Sequence, residues 1–209
     1  MLGIHDYWLF VLTGVLLNLT PGQDTFYILG RSIAEGTRSG VASALGITAG
    51  SLVHTAMAAL GLSAVLAASA SAFTVVKLLG AAYLIYLGAR MLMSTKSTEP
   101  AMPQLRRAGA LGAFRDGVLT NVLNPKVALF FLALMPQFIE PTGGWKVGAF
   151  VALGLTFVAT GTVWCLVLAI SAGKLRGVFV RHPWGWRAVT RAAGGLFVLL
   201  GLRLAVSRQ

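Results

Sequence analysis

Two charged residues, Asp24 and Lys126, stand inside long apolar runs, each close behind a proline. Asp24 ends the stretch Asn18-Leu-Thr-Pro-Gly-Gln-Asp24, and Lys126 follows Asn124-Pro125. An ionisable group at the centre of a membrane helix costs about 2.5–3.5 kcal/mol on insertion scales, so it is kept for a function or held by a partner. Apart from His54, no other ionisable residue falls well within an apolar run.

Proline inside a helix removes a hydrogen bond and clashes with the preceding turn, whereas at the first position of a new helix it is well suited. The first stretch therefore reads as a break, with Thr20 as N-cap, Pro21 at the first helical position and Gln23 completing a capping box. In the second, Asn124 is the N-cap and Pro125 the first helical residue. Each restart leaves free N–H groups and a partial positive charge, a natural seat for a carboxylate. Irregular backbone at that depth is tolerated only where it is buried in protein or lines a cavity. Lys126, near a helix N-terminus, sits at the wrong end for a cation and calls for an anionic partner.

The candidate substrate site is thus Asn18, Thr20, Pro21, Gly22 and Asp24 on one side, with Asn121, Asn124, Pro125 and Lys126 on the other. In this reading Asp24 binds an ammonium group and exchanges it for a proton, while Lys126 and the helix N-termini hold a carboxylate. A plain ion pair between Asp24 and Lys126, locking two halves of the chain together, is the competing reading. His54 lies four residues after Gly50 and eight after Gly46, on one helix face. The glycines suit close helix packing. The histidine suits either a hydrogen-bonded core position or a proton relay. Asp6, Glu35, Glu99, Asp116 and Glu140 fall near span ends or in loops and call for no special role.

The elements that carry these residues are membrane helices. The chain has 209 residues, of which 56% are hydrophobic and 11% charged, against about 25% charged in ordinary soluble domains. A spanning helix needs roughly 20 mainly apolar residues. Six stretches qualify, 8–29, 40–66, 72–93, 113–138, 146–171 and 189–206, the first read as a span and not as a cleaved leader. Residues 174–188 read as a loop or short amphipathic piece at the interface. The expected fold is an all-α membrane protein of six transmembrane helices. Residues 1–94 form a first three-helix repeat, 95–112 a cytoplasmic linker and 113–209 a second repeat.

The net charge of +11 is distributed as membrane topology requires, which argues against nucleic acid as a partner. Connections 1–2, 3–4 and 5–6 hold twelve Lys and Arg against four on the other side. That bias puts them in the cytoplasm and both termini outside.

Gly14-Val-Leu-Leu-Asn18 matches Gly117-Val-Leu-Thr-Asn121, Leu45-Gly-Ile-Thr48 matches Leu153-Gly-Leu-Thr156, and Leu87-Gly-Ala-Arg90 matches Leu200-Gly-Leu-Arg203. The matches keep their order at offsets of 103 to 113 residues. Repeats of three spans must cross the membrane in opposite directions, an arrangement that recurs in secondary transporters with the substrate near the midplane.

No enzyme chemistry emerges. His5, His54 and His182 lack metal-ligand spacing, Cys165 is alone in an apolar run, and no phosphate-binding loop is present. Neither a cofactor nor a metal is implied. A passive channel would need a continuous polar lining that these spans are too apolar to supply; export of some other small metabolite stays open.

Asn18-x-Thr-Pro-Gly-x-Asp24, Gly46-x-x-x-Gly50, Asn124-Pro-Lys-x-x-x-Phe-Phe131 and Pro136-Gln-Phe138 together resemble the lysine exporter / homoserine–threonine resistance (LysE/RhtB) translocators over nearly the whole chain. The resemblance implies a bacterial inner-membrane exporter of amino acids or close derivatives, driven by the proton gradient. Members of that family often carry proline where this chain has Gln23, and no particular substrate is carried over across that difference. A homodimer is compatible with a transporter this small.

Overall fold

The computed structural model describes residues 2–64, 70–93, 108–140, 144–181 and 183–206. Most of the expected linker, with Glu99, lies outside them, as do His182 and the side chains of Trp184 and Trp186. The described chain is helical almost throughout. Helix α1 spans Tyr7–Leu19, α2 Gln23–Glu35, and α3 Thr37–Met57, which a π-helical turn extends over Ala58–Leu62. Helix α4 is Ala70–Met93 and α5 Gly109–Val122. A short α6, Pro125–Leu129, continues through a π-helical turn (Phe130–Leu134) into a 3-10 turn (Met135–Phe138). Helix α7 runs Lys146–Arg181 and α8 Pro183–Val206.

Both expected breaks are present, between α1 and α2 and between α5 and α6. Two boundaries differ from expectation. The first broken stretch runs on to Glu35, where Gly36 turns the chain directly into α3 at φ 87°, a backbone angle that suits glycine. Residues 174–181 are not a loop but the last turns of α7. Nothing between Ser171 and Arg181 breaks a helix, and Pro183 opens α8, as proline at a first helical position does.

Of the six expected spans, two are single helices long and apolar enough to cross a membrane, Thr37–Leu62 and Lys146–Ala172. A third is the bent pair of α5 with α6 and its extension, angled by 46°. Tyr7–Leu19 and Leu78–Met93 are apolar but shorter. Helix α2 dilutes its span with Asp24, Arg31 and Glu35. Large apolar side chains such as Trp8, Leu60, Leu123, Trp145 and Ile170 stand exposed on the outside of the bundle, a surface suited to lipid.

Helix α3 packs along α5, α7 packs against α1 and α2, and α4 packs along α8. Glycines set these approaches. A Cβ at Gly46 would lie 2.1 Å from the Phe114 carbonyl, and one at Gly50 would lie 2.8 Å from the Asn121 side chain, so α3 touches α5 nearly backbone to backbone. Gly88 and Gly194 do the same reciprocally for α4 and α8, each facing the other's carbonyl.

Two apolar clusters fill the interior. One gathers Phe10, Phe130, Phe131, Phe138 and Phe157, with ring centroids 4.5–5.9 Å apart in the contacting pairs. The other joins Tyr27, Ile28, Ala44, Ile47, Cys165 and Leu168.

Replacing Gly46 by alanine forces a methyl group into the α5 backbone and should cost about 1–3 kcal/mol, as overpacking does. Gly61→Ala meets no atom within 4 Å and should leave stability unchanged. Thermal unfolding of the two variants in detergent checks the contrast.

Candidate functional site

Helix α1 stops at Thr20, which precedes proline and is held extended at φ −67°, ψ 120°. Its hydroxyl donates back to the Leu16 carbonyl at 2.7 Å, and its N–H turns to Leu16 and Leu17. Thr20 is therefore not an N-cap: its side chain finishes α1 rather than starting α2. The cap position falls to Gly22, also extended, which has no side chain to offer. Gln23 becomes the first helical residue, so the expected capping box does not form.

At the second break Asn124 caps as its type suggests, its Oδ1 accepting the Lys126 N–H at 3.0 Å. Its Nδ2 is buried without a partner. Pro125 takes the first helical place.

Lys126 reaches across to the other half. Its Nζ donates to the carbonyls of Leu17 (3.1 Å) and Thr20 (2.9 Å) at the end of α1. The Leu17 carbonyl is the one an N–H at position 21 would take in a continuous helix, and Pro21 has none. Thus a cation at the unfavourable end of α6 serves the favourable end of α1. Gly22 leaves it room, since a Cβ there would lie 3.2 Å from Nζ.

Asp24 sits in the first turn of α2, where the helix dipole favours an anion. Oδ2 accepts from Asn121 Nδ2 at 2.9 Å, while Oδ1 is buried with no partner. Asn121, wholly buried, is the hub. Its Oδ1 accepts from Ser51 at 3.2 Å and its backbone carbonyl meets His54 Nε2 at 3.1 Å. His54 is stacked on Phe131 and touches Asp24 only through Asn121. Among the described residues the ion pairs are His5–Asp6, Arg31–Glu35 and Arg31–Asp116, so Asp24 and Lys126 are not directly paired.

Asn18, Asp24, Asn121 and Lys126 nevertheless line one cavity, where the two apolar clusters meet. About 30 Å³ of it is open to the centres of water molecules, room for about two waters. Asn18 Nδ2 is buried there without a partner and lies beside Gly161. Thr20, Pro21, Gly22, Asn124 and Pro125 shape the breaks without lining the cavity, and His54 stands behind Asn121. The opposite wall comes from α3 and α7, including Thr48, Ser51, Phe157 and Thr162. Neither Thr48 nor Thr162 is assigned a role by the sequence.

Glu35 and Asp116, assigned no role from sequence, meet the buried Arg31. The guanidinium pairs with Glu35 one turn along α2 and with Asp116 on α5 at 2.6 Å. Its Nε donates to the Tyr27 hydroxyl (3.1 Å), which in turn donates to the Ala113 carbonyl (3.0 Å). Glu35 also accepts from the Ala108 and Gly109 amides at the start of α5. This network ties α2 to α5 away from the cavity.

The LysE type translocator family matches residues 15–208 of the chain. The homoserine/homoserine lactone efflux protein of Salmonella typhimurium is 32% identical over 98% of both chains. An uncharacterized membrane protein of Pseudomonas aeruginosa is 31% identical over 99% of this chain and 97% of its own. The leucine efflux protein of Salmonella typhimurium is 28% identical over 97% and 96%. No solved structure matches the chain.

Three stability tests follow from the geometry. Arg31→Ala takes the buried guanidinium from Glu35, Asp116 and Tyr27 at once and should cost about 3–5 kcal/mol, as breaking a buried pair does. Asp116→Ala removes a half-exposed partner and should cost under about 1 kcal/mol. Lys126→Met leaves the Leu17 and Thr20 carbonyls without this donor and should cost about 1–3 kcal/mol. Melting curves of the three purified variants rank them.

Proposed function

The chain belongs to the LysE type translocator family, and on that premise we propose that it is a secondary-active exporter of neutral amino acids or close derivatives, coupled to protons. The observation that carries this reading is the unpartnered Asp24 Oδ1 on a cavity also lined by Asn18 and Lys126. One carboxylate oxygen without a donor, and within the same small space an amide without an acceptor, match the two charged ends of an amino acid. Asp24 takes the α-ammonium. Asn18 Nδ2 takes the carboxylate, helped by the third N–H of Lys126, whose other two stay on the α1 carbonyls.

The carboxylate site thus differs from one built on two half-helix N-termini. The amide at position 126 is already taken by the Asn124 side chain, and position 21 is proline. Among the described residues Asp24 is the one acidic residue lining the cavity, which leaves no counter-charge there for a cationic side chain and favours a neutral substrate. The efflux proteins similar to this chain carry homoserine and leucine in their names.

Asp24 Oδ1 accepts either a substrate ammonium or a proton, and not both. Protonation on one side of the membrane expels the ammonium, and deprotonation on the other readmits it. That exclusion is the coupling. With space for about two waters, the cavity must widen before an amino acid fits, as a carrier does and a standing pore does not.

The membrane arrangement belongs to the same proposal. Counting each broken pair as one span, with α3, α4, α7 and α8, gives six spans in two inverted halves of the bacterial inner membrane, termini outside. Each half's second helix lies on the other half's broken helix, and α4 lies on α8, as a two-fold exchange between halves requires.

Efflux from exporter-deficient bacteria loaded with dipeptides tests the reading. Cells with the intact protein should release neutral amino acids faster than cells with an empty vector, and an uncoupler should abolish the difference. Asp24→Asn should cut the gain at least about tenfold, the scale of one charge-assisted hydrogen bond. Equal efflux from Asp24→Asn at equal membrane abundance would move the site elsewhere.

A further inference from the structure

Thr48 on α3 and Thr162 on α7 line the cavity, their hydroxyls 2.9 Å apart. Thr48 Oγ1 also lies 3.0 Å from the Ala44 carbonyl, and Thr162 Oγ1 lies 2.7 Å from the Val158 carbonyl, each one turn back on its own helix. Two hydroxyls bring two protons and four lone pairs. Each proton has a backbone acceptor waiting, and at most one can be diverted to the other threonine. However the hydroxyls turn, three or four lone pairs stay empty, because among the described residues no other group donates to either oxygen.

The surroundings single this pair out. Ser51, the other hydroxyl on the α3 wall, already gives its proton to Asn121. Ile47, Phe157, Val158 and Leu168 are among the apolar residues that line the same cavity. Asp24, Asn18 and Lys126 on the remaining wall are taken by the ammonium and carboxylate ends of a substrate. The space left for the side chain is mostly apolar, with the threonine pair as an acceptor-rich spot; Thr25 and Trp164 also line the cavity.

We propose that Thr48 and Thr162 set the specificity of the exporter, selecting amino acids whose side chain carries a hydroxyl donor over aliphatic ones of the same shape. This rests on the exporter reading above and adds the side-chain subsite to it. A substrate O–H fills a lone pair that nothing in the protein fills. A methyl group in its place leaves that lone pair empty and displaces any water that served it, the asymmetry by which a site built for a hydroxyl rejects the analogue lacking one.

The experiment compares isosteric pairs, threonine with valine and homoserine with norvaline, in the efflux assay. The intact protein should export the hydroxyl member of each pair at least about tenfold faster. Thr48→Val and Thr162→Val, which keep the branched shape, should each lower that ratio, and the double variant should bring it near one while still exporting valine. Thr162→Ser, which keeps the hydroxyl, should retain the preference. A ratio near one in the intact protein, or one unchanged in the double variant at equal membrane abundance, overturns the assignment while leaving export intact. Release of none of these amino acids by the intact protein overturns the exporter reading for this substrate class, and the specificity assignment with it.

Discussion

Pro21 has no N–H to give the carbonyl of Leu17, whose backbone donor is instead the Thr20 N–H at 3.2 Å. Lys126 adds a charged donor, arriving from the far half of the chain. Much of the site is arranged around this ammonium. Gly22 gives it room, a Cβ there lying 3.2 Å from Nζ, and Asn124 caps the short helix that aims it. Asp24, in the first turn of α2, then stands near a cation that is already engaged. Its own hydrogen bond comes from Asn121 instead.

The two breaks are related in sequence but answer their loss of hydrogen bonds differently. The second is locally satisfied, because Asn124 folds its own side chain onto the backbone. The first is satisfied from a distance, by Lys126 for α1 and by Asn121 for Asp24. Asp24 Oδ1 at the first break, Asn18 Nδ2 before it and Asn124 Nδ2 at the second stay buried without partners.

What was legible in the sequence was local. Prolines inside apolar runs marked both breaks, and asparagine before proline marked the cap at Asn124. Thr20 carried the same local signature and was misread. A threonine before proline can close the helix behind it as well as open the next, and its hydroxyl went to Leu16. The partner of Lys126 could not be read, because Asp24 and the α1 carbonyls are equally plausible until the helices are placed. The same holds for Arg31, whose i, i+4 relation to Glu35 is visible in sequence but whose bond to Asp116 is a contact between halves. The continuation of α7 to Arg181 was hidden by charge: basic residues suggested a loop, yet no residue there stops a helix.

Each half of the chain completes the other, and a ribosome makes them in order. Asp24 and its Asn121 donor are separated by 97 residues, and Leu17 and Lys126 by 109. At about 5–20 residues per second, a carboxylate and a helix-end carbonyl wait roughly 5 to 20 s for partners not yet translated. During that interval the nascent first half has reason to stay close to the insertion machinery or to water, rather than settle in lipid. Assembly of the site is therefore a late event in biosynthesis, and arrival of the segment from Asn121 to Lys126 marks the moment at which the first broken helix can take its final depth.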